Sequence, residues 1–144
     1  MIEQDTVKLL RECDAGVKMG ISSINEVIDY VDDGNFRRCL EDCKNQHKKL
    51  DGEINGMLER YGDDGKEPAA VAKGMSWLKT NVMLAANDSD STVADLMTDG
   101  CNMGVKSLNK YMNKYKAADE ASKDIAKRLV NLEEKLAVDI RTYL

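Results

Sequence analysis

Gly62-Asp63-Asp64-Gly65-Lys66-Glu67-Pro68, closing at Asn87-Asp88-Ser89-Asp90, is the stretch that decides how the rest of the chain can be arranged. Two long helical patterns precede it and two follow. Its middle carries Val71, Met75, Leu78 and Val82 at helical spacing, with the only tryptophan, Trp77, beside them as a clamp on the neighbouring helices. Pro68 suits the first turn of such a helix. Residues 62–90 therefore read as a crossover containing a lesser helix. A long helix of about 26 residues extends roughly 39 Å, and a connection of this size can run back along it. A tight turn could not. The second and third long helices are thus expected to lie parallel, which an up-down-up-down bundle forbids.

Before the crossover, residues 4–32 place Val7, Leu10, Asp14, Val17, Ile21, Ile24, Ile28 and Val31 on one stripe. Steps of three and four make this the seam of a helix packed along its neighbours. Gly34 is expected to end it in the left-handed region and Asn35 to cap the next helix. The second stripe is Phe36, Leu40, Cys43, His47, Leu50, Ile54, Met57 and Tyr61, with Gly62 as the stop. So short a link makes an antiparallel hairpin. Beyond the crossover, Thr92 and Asp95 approximate a capping box. A third helix over 92–115 turns Met97, Cys101, Gly104, Val105, Leu108, Met112 and Tyr115 inward. After a short link, Asp119 caps a last helix whose seam is Ile125, Leu129, Leu132, Leu136, Ile140 and Tyr143. A second hairpin results.

Composition agrees with one all-α domain over residues 1–144. The chain is 42% hydrophobic and 33% charged, with one Phe and one Pro, too few turn signals for a β-sandwich. A net charge of −5 gives no basic footprint for nucleic acid. Residues 1–67 hold 10 basic and 16 acidic side chains and residues 101–144 hold 9 and 6, an asymmetry that favours docking of the two hairpins. Glu3, Gln4 and Asp5 interrupt any apolar leader, and no run is long enough to span a membrane, so a cytoplasmic protein is expected. Cys13, Cys39, Cys43 and Cys101 sit within helical patterns and read as small core hydrophobes.

Six glycines fall in three Gly-x-x-x-Gly pairs: Gly16 with Gly20, Gly52 with Gly56, and Gly100 with Gly104. An interior helical glycine costs about 1 kcal/mol relative to alanine. Such flats imply close packing by another helix, the crossover or a second subunit. With the exposed methionines they suggest a homo-oligomer.

A bundle of this order can carry a di-iron centre when two helices each supply a Glu and two each supply Glu-x-x-His at one height. His47 stands 14 residues, about 21 Å, above Tyr61, and Glu133 falls at a similar level on the last helix. The remaining ligands are missing. Lys44 precedes His47 where a Glu is needed, Leu136 follows Glu133 where a His is needed, Glu26 lies higher and Asp99 lies on a polar face. The expectation is a core His47 hydrogen-bonded across to Glu133, with no cofactor. The alternative is an iron or zinc site built from His47, Glu133, Cys43 and Cys101. Asp14 is a second buried polar candidate, able to meet a lysine or an open end. Lys48, Lys49, Asp51 and Glu53 read as a solvated face. No Ser/His/Asp arrangement or phosphate-binding glycine loop points to hydrolase or transferase chemistry.

Three segments carry a resemblance over most of the chain: Tyr61-Gly62 through Gly65-Lys66-Glu67-Pro68, Lys73-Gly74-Met75-Ser76-Trp77-Leu78-Lys79, and Asp99-Gly100-Cys101-Asn102-Met103-Gly104-Val105-Lys106-Ser107-Leu108. Together they resemble a bacterial ferritin-like family of unknown function. The resemblance implies a ferritin-like four-helix bundle, two antiparallel hairpins joined by the helical crossover, and carries no activity to transfer. The ligand pattern of metal-binding relatives maps only onto His47 and Glu133. A non-enzymatic binding or stress-related accessory protein is therefore expected.

Overall fold

A computed structural model describes residues 2–66 and 89–144. Pro68, Val71, Met75, Trp77, Leu78 and Val82, on which the helical reading of the crossover rests, lie outside the described residues. Four long helices account for nearly all the rest, and no strand occurs among the described residues. They are α1 (Ile2–Val27), α2 (Gly34–Glu59), α3 (Ser89–Lys114) and α4 (Glu120–Asp139). One hydrophobic cluster draws on all four, an arrangement compatible with a four-helix bundle. No described helix is long and apolar enough to cross a membrane.

The joints between helices rest on side-chain caps. Asp33, rather than Asn35, caps α2, its carboxylate accepting from the N–H groups of Asn35 and Phe36. Gly34 is the first residue of that helix and has no positive φ, so it does not stop α1. Instead α1 tightens into a 3₁₀ turn, Ile28–Tyr30, and leaves through extended Val31. An acidic side chain at the cap satisfies two orphan amides, which Gly34 cannot do. Asp119 caps α4 through the N–H of Ser122, as its position suggested. Thr92 lies inside the first turn of α3 and is not its cap. Gly62, with φ +66°, ends α2 as expected.

Contacts between distant residues fix the directions. Asp90, in the first turn of α3, accepts from the backbone N–H groups of Asp32 and Asp33, so α3 starts beside the start of α2. At the opposite end, Ala117 N–H donates to Asp5 and Asp119 N–H donates to Thr6 Oγ1. The segment after α2 is tied to that same end of α1 by Arg11–Asp63 and Lys66–Glu12. α2 and α3 therefore point the same way.

α1 and α4 touch across the centre, whereas α2 and α3 occupy outer corners. The central position explains why α1 buries more than one seam: Thr6, Leu9, Cys13 and Val27 join Leu10, Asp14, Val17 and Ile24. On α2 the stripe continues by fours to Leu58, leaving Met57 half-buried and Tyr61 exposed. Phe36 is sealed by Tyr143, stacked at 4.4 Å between ring centroids.

Candidate functional site

His47 projects from α2 into the middle of the core and is 1% exposed. Its Nδ1 lies 2.8 Å from the carbonyl oxygen of Cys43, one turn earlier. A carbonyl only accepts, so Nδ1 carries a proton. On the far edge of the ring, Nε2 meets Glu133 Oε1 of α4 at 2.8 Å. Glu133 faces inward because it follows Leu132 and lies one turn from Leu129 and Leu136 on the apolar side of α4. Both residues thus occupy one level.

Room for the imidazole is made by α1. A Cβ on Gly20 would stand 2.6 Å from both Cδ2 and Nε2 of His47, closer than any side chain tolerates. On α3, Gly104 brings its helix into ordinary contact with the Glu133 carboxyl, and Gly16 does the same for Leu129. Among the described residues, Gly52, Gly56 and Gly100 meet nothing within 4 Å, and the close helix packing expected of the glycine flats is found at Gly16, Gly20 and Gly104.

The electrostatics follow from this enclosure. Burial, the largest single influence, disfavours the imidazolium, yet the contacts with Cys43 and Glu133 outweigh it and hold the His47 pKa at about 10. The ring is a cation at neutral pH, donating from both nitrogens. Cys101, on α3, is 2% exposed, and its thiol is pushed far up by burial and then by Glu133. Burial likewise lifts Cys13 to about 12. These two thiols are not ready thiolates.

The four candidate ligands from sequence fall on two sides of the ring. Glu133 lies at the Nε2 edge, with Cys101 close to its carboxyl, while Cys43 Sγ lies 3.5 Å from Nδ1. Cys43 cannot share a metal with Nε2. Among the described residues no three His, Cys, Asp or Glu side chains form a set that could hold a metal ion. Leu136 is buried and Asp99 exposed, neither adding a ligand. Cys39 faces outward into a groove of about 260 Å³ between α2 and α4, whose charges, Arg38 and Lys135 against Asp42 and Asp139, nearly balance.

A second polar cluster lies nearer the start of α1. Asp14 is fully buried, and its Oδ2 accepts from Lys18 Nζ and from the backbone N–H of Lys66, each at 2.9 Å. Gly65, with φ +89°, brings its backbone against that same oxygen. Asp51, read from sequence as part of a solvated face, is instead half-buried beside Asp14, with Oδ1 enclosed and unpartnered. Its signal was faint: Asp51 flanks Leu50 at the edge of the α2 stripe, with Asn55 one turn on.

No protein-family model, curated relative or solved structure matches this chain.

Proposed function

We propose that the chain is a non-enzymatic, cytoplasmic ferritin-like bundle acting as a binding or stress-related accessory protein, its di-iron position taken by a protein-only ion pair. The observation that carries this reading is the full commitment of His47. Nδ1 is bonded to the Cys43 carbonyl and Nε2 to Glu133, so neither nitrogen offers a lone pair to a metal. The like-directed α2 and α3, with a long connection between them, support the ferritin-like assignment and the reading of that connection as a helical crossover. Self-association belongs to the same reading, through the open glycine flat of α2 and exposed Met103. Metal analysis of protein purified without chelators tests it. The expected iron and zinc content is far below one per chain. Near-stoichiometric iron that disappears in His47→Ala would overturn it.

One observation favours a second reading. A metal-bound histidine usually donates its other ring N–H to a carbonyl or carboxylate, and the Nδ1–carbonyl bond of His47 supplies that orientation. Were Nε2 to lose its proton, it and Glu133, with Cys101 close by, would be the groups to receive zinc or iron. Zinc added at alkaline pH should then bind with proton release and raise the melting temperature of wild type but not of Glu133→Gln.

A further inference from the structure

Asp14 and Asp51 bring two carboxyl groups together across the α1–α2 packing, away from the His47–Glu133 pair. Each has an oxygen, Oδ1, that is enclosed and lacks a hydrogen-bond partner. The side chains themselves are within hydrogen-bonding reach of one another. Two ionised carboxylates are acceptors only, so such a contact is satisfied by a proton lying between them. Lys18 on α1 is bonded to Asp14 Oδ2 and attracts Asp51 as well. On α2, the amide of Asn55 favours the ionised form of Asp51, the weakest of these influences. From the segment after α2, Lys66 gives its backbone N–H to Asp14, while its ammonium is paired with Glu12 and the nearby Asp63 with Arg11.

We propose that Asp14 and Asp51 act as a proton-operated latch on the α1–α2 hairpin, closed when one proton is shared between them and loosened when both are ionised. In the closed state the Asp51 O–H donates to Asp14 Oδ1, the proton having come from solvent. Asp14 Oδ2 continues to hold Lys18 Nζ and the backbone N–H of Lys66, so the latch also secures the chain where it leaves α2. Loss of the proton sets two carboxylates against each other in a partly desolvated place. Burial, followed by the contact and charge of Asp14, raises the Asp51 pKa from 3.8 to about 6, which puts the change in mildly acidic solution.

The test is a carboxyl-detected NMR titration of the full chain, with melting temperatures of wild type, Asp51→Asn and Asp51→Ala over the same pH range. The expected result is an Asp51 carboxyl titrating near pH 6. An amide can donate permanently to Asp14, so Asp51→Asn should abolish the fall in melting temperature as pH rises from 3.8 through about 6, and should melt roughly 3–6 °C above wild type beyond it. Asp51→Ala should also lose the pH step without gaining the stability. An Asp51 that titrates near the ordinary 3.8, or an Asp51→Asn variant retaining the full step, would overturn the proposal. So would a rise in wild-type melting temperature with millimolar calcium or magnesium that Asp51→Asn removes, since a metal ion would then replace the proton.

Discussion

The two buried polar pairs of this molecule solve the same problem in opposite ways. His47 and Glu133 join α2 to α4 with a donor facing an acceptor, and the pair is complete within the protein. Asp14 and Asp51 join α1 to α2 with an acceptor facing an acceptor, and need a proton from outside. A glycine stands against each: Gly20 beside the imidazole and Gly65 beside Asp14. The contrast shows that burial alone does not set a group's behaviour. A partner of opposite character fixes charge in place, whereas a like partner makes the site responsive to solution.

The largest effect should come from removing one member of the complementary pair. His47→Ala leaves the Glu133 carboxylate without its cation, and breaking a buried pair in this way costs about 3–5 kcal/mol. Urea denaturation at neutral pH measures it. A loss under about 1 kcal/mol would show that the pair is not a buried ion pair.

The pH dependences come next. The His47 pKa is raised from 6.5 to about 10, so its contribution is complete below 6.5 and is lost as pH rises through 10. Asp51 is raised from 3.8 to about 6, so its contribution is complete below 3.8 and is lost as pH rises through 6. Both losses run toward alkali, in adjacent windows. Subtracting the stability curve of each variant from wild type should isolate an upper step for His47→Ala and a lower one for Asp51→Asn. A single shared window would remove the distinction between the two pairs.

The guarding glycines sharpen it further. Gly20→Ala forces a methyl against a ring held at both nitrogens, an overpacking worth about 1–3 kcal/mol. Gly65→Ala adds a Cβ where φ is +89° and Asp14 is in the way, at a cost of similar order. In the dissociated chain, Gly56→Ala, exposed on its helix, should instead gain up to about 1 kcal/mol. Thermal melts of the three rank them. Smallest is the exposed Arg128–Glu53 pair, also between α2 and α4, where Arg128→Ala should cost no more than about 1 kcal/mol and less at high salt.

Much of this was legible in the chain itself. Alternating steps of three and four marked the inner faces of α2 and α4, and counting residues along helices put His47 and Glu133 at one level. What periodicity misjudged has physical causes. α1 lies centrally and buries more than one row, which a single-seam reading cannot show. Asp33 displaced Asn35 as the cap because two amides needed an acceptor. Asp51 carries no apolar signature, so only its proximity to Asp14 reveals that it is enclosed. The glycine pairs look alike in sequence, yet only the helix opposite decides that Gly20 is indispensable and Gly56 is not.

The joints exchange help across the molecule. Asp90 satisfies the amides of the Asp32–Asp33 bend, and Asp5 and Thr6 satisfy those of the link before α4. Each half therefore completes the other's corner, and a separated half would expose both its apolar face and its unfilled amides. Severed pieces should accordingly remain unstructured alone and regain helicity together on mixing, making assembly of the two halves a single cooperative event.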